Sequence, residues 1–281
     1  MILITAMIRR MNLINEQWVL EHVRHRSAIG HKKSFGHVLV IAGSEGKAGA
    51  AILCAKAALH AGCGMVTAMI PKEATIVLLE QCPEVMYVHE SNMEQLDLKH
   101  FDSIMIGPGL GFSATAISNL KFLLNHYTGP IVIDADALTI VSTDLSLLKP
   151  NHIITPHPGE FARLQGFEYH EEERLLQAQN FVEKYRPILV LKGAGTLVGS
   201  GEKGIMQNTT GNDGMATAGS GDVLAGIIGA LCAQGYPLFN AAAIGVYIHG
   251  LSGDNAVKEI SKASLVAGDI ITYLGGIRLI D

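Results

Sequence analysis

Short apolar runs alternate along this chain with longer segments whose apolar positions recur at helical spacing. Residues 37–42 read as a buried strand, as do 65–70, 103–106, 131–134, 151–155 and 188–192. Residues 49–61 read as a small-residue helix stopped by Gly62, and 171–185 and 222–234 as further helices. Residues 240–258 add a long Ala-rich helix. Near-continuous apolar strands alternating with helices predict an α/β fold: a mostly parallel sheet with helices on both faces. No repeat, low-complexity tract or linker interrupts the pattern. The expectation is a single domain over 1–281, with 1–30 as an N-terminal flank.

In such sheets ligands bind outside the carboxyl ends of the strands. Polar and glycine-rich clusters fall at those ends: Gly43 to Gly46, Gly107 to Gly111, Asp134 to Asp136, Thr155 to Glu160 and Lys192 to Thr196. Any one of them is an ordinary loop. Five along one sheet edge predict a site.

Composition narrows the class. The chain is 48% hydrophobic and 17% charged, with 31 glycines, which suits a compact enzyme rather than a disordered or fibrous chain. A domain near this size buries about 75% of its unfolded surface. Net charge is −5 without a long basic run, which argues against nucleic acid as a partner. Cys54, Cys63, Cys82 and Cys232 form no Cys-x-x-Cys or zinc spacing; they read as small hydrophobes in a reducing compartment. Arg9 and Arg10 interrupt the apolar N-terminus, which lacks the order of a signal peptide. No apolar stretch reaches membrane-span length. The expectation is a cytoplasmic protein that does not engage membranes.

The densest chemistry lies between Asn208 and Leu224. Val223, Leu224, Ile227, Ile228 and Leu231 recur at helical spacing, so Gly219, Ser220 and Gly221 stand at a helix N-terminus. Backbone N–H groups there lack partners and attract phosphates. Asp222 then has two readings. It favours the first helical turn as a cap, or it is a proton acceptor held beside a phosphate for an attacking hydroxyl. Asp134 and Asp136 close a strand two residues apart and so are expected on one face, unless one of them caps a helix. His157 and Glu160 flank a Pro-Gly turn, where Glu160 suits a Mg²⁺-bound water or phosphate network. Lys192 pairs with a phosphate near Thr196, or is a solvated strand-end lysine. Two motifs fail. The loop 43–47 has Ala48 after Lys47 and Ile41 where a P-loop needs its first glycine, and 107–111 has the wrong spacing for a dinucleotide fingerprint.

Taken together, the blocks resemble the ribokinase-like superfamily and, within it, the ADP/ATP-dependent NAD(P)H-hydrate dehydratases. The carriers are Gly43-Ser44 with Gly49-Ala50-Ala51, Gly107 to Gly111, Val132 to Leu138, Thr155 to Glu160, Lys192-Gly193 and Asn208 to Leu224. They run in family order over roughly residues 30 to 275. The Thr155 to Glu160 and Gly211 to Thr217 blocks are specific; the Gly219 to Asp222 core marks only the superfamily. One departure is Ala218, where the family usually has glycine, which matters little if that residue keeps φ negative. Another is length: the expectation is a chain without the fused N-terminal epimerase domain of the bifunctional members.

The resemblance implies nucleotide-dependent dehydration of hydrated NADH and NADPH. The ring hydroxyl is phosphorylated and phosphate is then eliminated, with ADP becoming AMP, or with ATP as donor. By the same resemblance Asp222 acts as base with Gly219 and Gly221 stabilising the transferring phosphoryl group. Lys192, Gly193, Ala194, Gly195, Thr196 and Gly221 contact the nucleotide. Ala50, Gly109, Gly111, His157 and Asp222 line the hydrate side, and Glu160 supports Mg²⁺. A homotetramer and a separate NAD(P)H-hydrate epimerase as functional partner are also implied. The alternatives are a small-molecule kinase of the same superfamily, of the hydroxymethylpyrimidine or thiazole kinase type, and a non-catalytic nucleotide binder. The 157–160 block favours the dehydratases over the first, and Asp222 argues against the second.

Overall fold

Strands rich in Val, Ile and Leu on both faces require cover on both sides, and the chain provides it. The structure, a computed structural model, describes residues 12–89 and 93–278. Among them ten strands form one sheet: β1 (Asn12–Ile14), β2 (His37–Ile41), β3 (Met65–Ile70), β4 (Met86–His89), β5 (Ser103–Ile106), β6 (Ile131–Ile133), β7 (His152–Ile154), β8 (Ile188–Leu191), β9 (Leu197–Ser200) and β10 (Gly204–Asn208). The spatial order is β1-β10-β9-β8-β7-β6-β5-β2-β3-β4. All pairings are parallel except β8 with β9 and β9 with β10.

The helices are α1 (Glu16–His22), α2 (Ala48–His60), α3 (Thr75–Gln81), α4 (Ala114–His126), α5 (Ala135–Val141), α6 (Pro158–Gln165), α7 (Arg174–Tyr185), α8 (Ser220–Ala233), α9 (Leu238–Ala256) and α10 (Ala267–Leu274). They divide between the faces, as the strand period of two dictates. Val38 and Val40 point into a core shared with Cys54 of α2, Ile227 of α8, Ile244 of α9 and Ile270 of α10. Leu39 and Ile41 point into another with Leu120 of α4, Leu138 of α5, Phe161 of α6 and Phe181 of α7. The Ala-rich α9 is largely buried within the chain. All four cysteines are buried and unpaired. No helix of the described residues is long and apolar enough to cross a membrane.

The strands read from the sequence stand within a residue of their observed ends. The pattern did not disclose β1, β4, β9 and β10. The first is three residues long, β4 is mostly exposed, and β9 and β10 form a hairpin whose short runs carry no strong periodicity. β1 and α1 lie within the expected flank, where Asn12 to Ile14 pair with Met206 to Asn208. Residues 1–11, part of that flank and of the N-terminal reading, lie outside the described residues. The helix expected at 171–185 opens with a 3₁₀ turn, Glu171–Glu173, before α7 begins.

The small residues of α2 have a packing reason. A Cβ at Gly226 of α8 would lie 2.3 Å from the Cys54 carbonyl oxygen of α2, so the two helices touch backbone to backbone. Gly226→Ala gains roughly 1 kcal/mol of helix propensity but overpacks the contact at a cost of about 1–3 kcal/mol. The clash involves backbone atoms that cannot turn aside, so the loss wins. The expected outcome is a lower denaturation midpoint with unchanged m-value; a midpoint at or above wild type would refute the backbone contact.

Candidate active site

β2, β5, β6, β7 and β8 are mutually parallel neighbours, so their carboxyl ends share one edge of the sheet. The five polar loops meet there, as expected from their positions. The helix N-terminus of the 208–224 segment meets them from the α8 side.

At that N-terminus, Gly219 takes φ 85° and the N-cap position. A side chain there would be strained and would press within 2.5 Å of Leu53 Cδ1. The first helical bond runs from Val223 N–H to the Gly219 carbonyl. The N–H groups of Gly221 and Asp222 therefore have no acceptor within the helix. Ala218 is not among the residues with positive φ, so its departure from glycine strains nothing. The Asp222 carboxylate accepts no hydrogen bond among the described residues and no side chain caps α8. Capping is not its role here. Burial pushes its pKa up to about 6; the Asp134 carboxylate adds to this, Lys192 opposes it, and Asp136 adds a little.

Lys192 follows β8 directly, and its side chain is only 20% exposed. Its ammonium lies 2.8 Å from Asp134 Oδ1 and 3.8 Å from Glu160 Oε2. Burial alone would lower the Lys192 pKa, but the carboxylates of Asp134, Glu160 and Asp222 outweigh it and raise it. A Cβ on Gly221 would stand 3.3 Å from Lys192 Nζ, so the cation lies directly beneath the open turn of α8. Asp134 and Asp136 do not share a strand face. β6 stops at Ile133, Asp134 takes the N-cap position of α5 without a side-chain cap bond, and Asp136 is in the first turn. Between them Ala135 is held at φ 50°, a conformation that costs an L-residue energy. The kink separates the partners: Asp134 serves Lys192, whereas Asp136 Oδ2 accepts from Gly111 N–H at 2.9 Å and lies 3.1 Å from Lys47 Nζ.

His157 and Glu160 form a reciprocal cap on α6. His157 Nδ1 accepts from the N–H groups of Gly159 and Glu160, and Glu160 Oε2 accepts from His157 N–H at 2.8 Å. Pro158 supplies the first helical position. No three His, Cys, Asp or Glu side chains converge on a metal position among the described residues. Mg²⁺ is held mostly by phosphate oxygens and water and needs only one or two carboxylates. Glu160 and Asp134, facing Lys192, fit that limited part.

A cavity of about 730 Å³, within the range of small-molecule sites, opens beside these groups; Lys192, Gly221 and His157 line it, whereas Asp222, Asp134 and Glu160 stand behind its wall. Lys192 to Thr196, Gly221 and His157 line one side; Leu224, Val246 and Met215 make the other side apolar. The loop over it is strapped to α9 through Asp254, which accepts from Gly211 N–H at 2.8 Å and Asn212 Nδ2 at 2.9 Å. His157, expected on the hydrate side, stands in this wall with Lys192 to Thr196.

Ala50, Gly109 and Gly111 lie apart from that cavity wall. They flank the point where strand order reverses, β2 having β3 on one side and β5 on the other. Gly43 N–H donates to the Pro108 carbonyl at 2.8 Å, and a Cβ on Gly109 would lie 3.1 Å from Ala50 Cβ. Asp136, with Lys47 and Gly111, ties the loops after β2, β5 and β6 together. Sequence reasoning missed Lys47, His249 and Asp254 as parts of the site. Lys47 was discarded with the failed P-loop, and a lone His or Asp in an apolar helix carries no local signal.

A family model described as NAD(P)H-hydrate dehydratase matches residues 38–274. The ADP-dependent (S)-NAD(P)H-hydrate dehydratase of Neisseria meningitidis is 39% identical over 257 residues, covering 87% of this chain and 86% of that protein. The bifunctional NAD(P)H-hydrate repair enzyme Nnr of Moorella thermoacetica is 39% identical over 279 residues, covering 93% of this chain and 53% of that protein. The chain thus spans about half the length of the bifunctional relatives it matches. Among solved structures, the ADP/ATP-dependent NAD(P)H-hydrate dehydratase of Bacillus subtilis, co-crystallised with ATP and Mg²⁺, superposes with a TM-score of 0.86 at 27% identity, covering 94% of this chain and 96% of that one. The fold is the ribokinase-like α/β fold expected from the sequence.

The environment of Asp222 makes a stability prediction independent of function. Its folded pKa of about 6 lies above the ordinary 3.8, so the native state binds the proton more tightly than the unfolded chain. The contribution of Asp222 to stability therefore falls as pH rises from about 4 to about 6 and is level above that. Asp222→Asn removes the titration. Its Tm should exceed wild type at pH 7 and match it near pH 4; an equal or lower Tm at pH 7 would mean that Asp222 stabilises the helix end.

Proposed function

The chain belongs to the NAD(P)H-hydrate dehydratase family, and from that premise we propose that it dehydrates hydrated NADH and NADPH at the expense of ADP, releasing AMP and phosphate. The observation that carries the reading is the unbonded Asp222 carboxylate, raised to about 6, beside the open amides of α8 and the Lys192 ammonium. A group that titrates just below neutrality is ionised at working pH yet still basic enough to take a proton. The ADP dependence named for the Neisseria relative supports the donor.

In this reading the ring hydroxyl of the hydrate attacks the β-phosphoryl group of ADP. Asp222 takes the hydroxyl proton as the new O–P bond forms and AMP departs. The N–H groups around Gly219 and Gly221 stabilise charge on the transferring group. Phosphate is a far better leaving group than hydroxide. The ring nitrogen lone pair expels it, and loss of a proton from the neighbouring ring carbon restores the double bond. Lys192, Gly193, Ala194, Gly195, Thr196 and Gly221 hold the nucleotide; Ala50, Gly109, Gly111 and His157 hold the hydrate. Glu160 would help to hold Mg²⁺, and the ion would supply neutralisation of phosphate charge. The proposal extends to one domain over 1–281, a cytoplasmic homotetramer, and a separate NAD(P)H-hydrate epimerase as partner. The bifunctional repair enzymes among the relatives support the functional pairing.

Incubation with hydrated NADH, Mg²⁺ and ADP should restore the dihydronicotinamide absorbance with inorganic phosphate released in step. A stable phosphoester product, or repair at the same rate without nucleotide, would overturn it. Asp222→Asn should lower kcat by about 10² to 10⁴ while nucleotide affinity holds or improves. The wild-type rate should rise with pH through about 6, and the residual activity of the Asp222→Asn enzyme should lack that limb. Lys192→Ala should raise the nucleotide KM more than it lowers kcat, and lower Tm because Asp134 is left buried and unpaired. His157→Ala should mainly weaken hydrate handling; the reverse pattern would exchange the two halves of the site.

A further inference from the structure

One residue in the cavity wall has no part in that scheme. His249 projects from α9 toward both the cavity and the first turn of α8. Its Nε2 lies 3.0 Å from the Ser220 carbonyl oxygen and 3.3 Å from the Ser220 hydroxyl. A carbonyl oxygen only accepts, so Nε2 carries the hydrogen and donates it. Burial lowers the His249 pKa to about 4, against the pull of the Ser220 carbonyl and with help from Lys192, so the ring is neutral near pH 7. Its tautomer is then set, and Nδ1 is a bare acceptor.

Nothing among the described residues donates to Nδ1. Neighbouring donors are committed elsewhere. Thr210 Oγ1 donates to the Tyr247 carbonyl, Asn208 Nδ2 to the Thr210 carbonyl, and Lys192 faces Asp134 and Glu160. Leu224 and Val246 offer none. His249 thus brings an open acceptor to the wall of a mostly apolar cavity, available to a ligand donor.

We propose that His249 reads the nucleoside part of the nucleotide, its Nδ1 accepting a hydrogen bond from a ribose hydroxyl or a base amine while its Nε2 holds Ser220 in the first turn of α8. The inference rests on the nucleotide reading of this cavity. It adds a second consequence: nucleoside recognition and the placement of the phosphate-binding turn share one side chain.

The test is a binding cycle by calorimetry. Wild type and His249→Gln are each titrated with ADP, 2′-deoxy-ADP, 3′-deoxy-ADP and the diphosphate of purine riboside, which lacks the base amine. Gln keeps an amide donor near the Nε2 position and removes the Nδ1 acceptor. In wild type, one analogue should bind about fivefold more weakly than ADP, the usual size of one neutral hydrogen bond. In His249→Gln, ADP should weaken by about the same factor and that analogue by nothing further. The analogue that couples identifies the donor as ribose or base. Should His249→Gln fold poorly, His249→Asn keeps an acceptor near Nδ1, and the wild-type discrimination should survive in it. The proposal falls if the substitution weakens all four ligands equally, or if wild type is indifferent to all three analogues. Failure of wild type to bind ADP at all would remove the nucleotide reading and this inference together; ADP binding without coupling removes this inference alone.

Discussion

Lys192 occupies a position that the rest of the site is arranged around. Its ammonium is withdrawn from solvent at the end of β8, against the nearly inaccessible carboxylate of Asp134 and within reach of Glu160. A buried cation is tolerable only when paired, and the pair is held by elements rather than by flexible loops. Asp134 is fixed by the end of β6 and the strained backbone at Ala135, and Glu160 by the reciprocal cap that starts α6. The open end of α8 then sits directly over the cation, because Gly221 presents no side chain to it. A positive helix end and an ammonium in one place would repel each other without the surrounding carboxylates. With them, the ammonium and the positive helix end can lie together.

The same arrangement explains why Asp222 titrates where it does. Burial removes the water that would stabilise its charge, and the Asp134 and Asp136 carboxylates add to the upward shift while the Lys192 ammonium opposes it. The desolvated acid is destabilising for the fold while it is ionised, because its charge has lost water without gaining a hydrogen bond. The cost is confined to one side chain. Around it, the backbone of α8 is anchored by the tight glycine contact with α2, and the helix is buried along nearly its whole length.

Parts of this were legible before the structure. The buried strands β2, β3, β5, β6, β7 and β8 announced themselves, because a strand covered on both faces must be apolar throughout and the polar loops at its end must be exposed. That logic placed Lys192, Asp134, His157 and Glu160 on one edge without any coordinates. It failed where structure depends on pairing alone. β9 and β10 are a hairpin whose hydrogen bonds lie between segments rather than within them, and β1 joins β10 across most of the length of the chain. The strand rule also misread Asp136, since it assumed that the strand continued past Ile133. A single residue with positive φ, Ala135, turned the backbone into a helix instead, and nothing in an alanine signals that conformation.

Side-chain partnerships across the fold were the least legible. Asp254 and His249 lie in a helix whose composition says only that it is buried, yet they reach the site from opposite directions of its logic. Asp254 grips the backbone of the glycine-rich loop from outside, while His249 grips the first turn of α8 from inside the cavity. Neither contact involves a motif, because each needs only one polar atom at one point on a helix that has come to lie there. The motifs mark where phosphate-like charge can be held. The isolated polar residues of α9 decide how rigidly the loop and the helix end are held relative to each other.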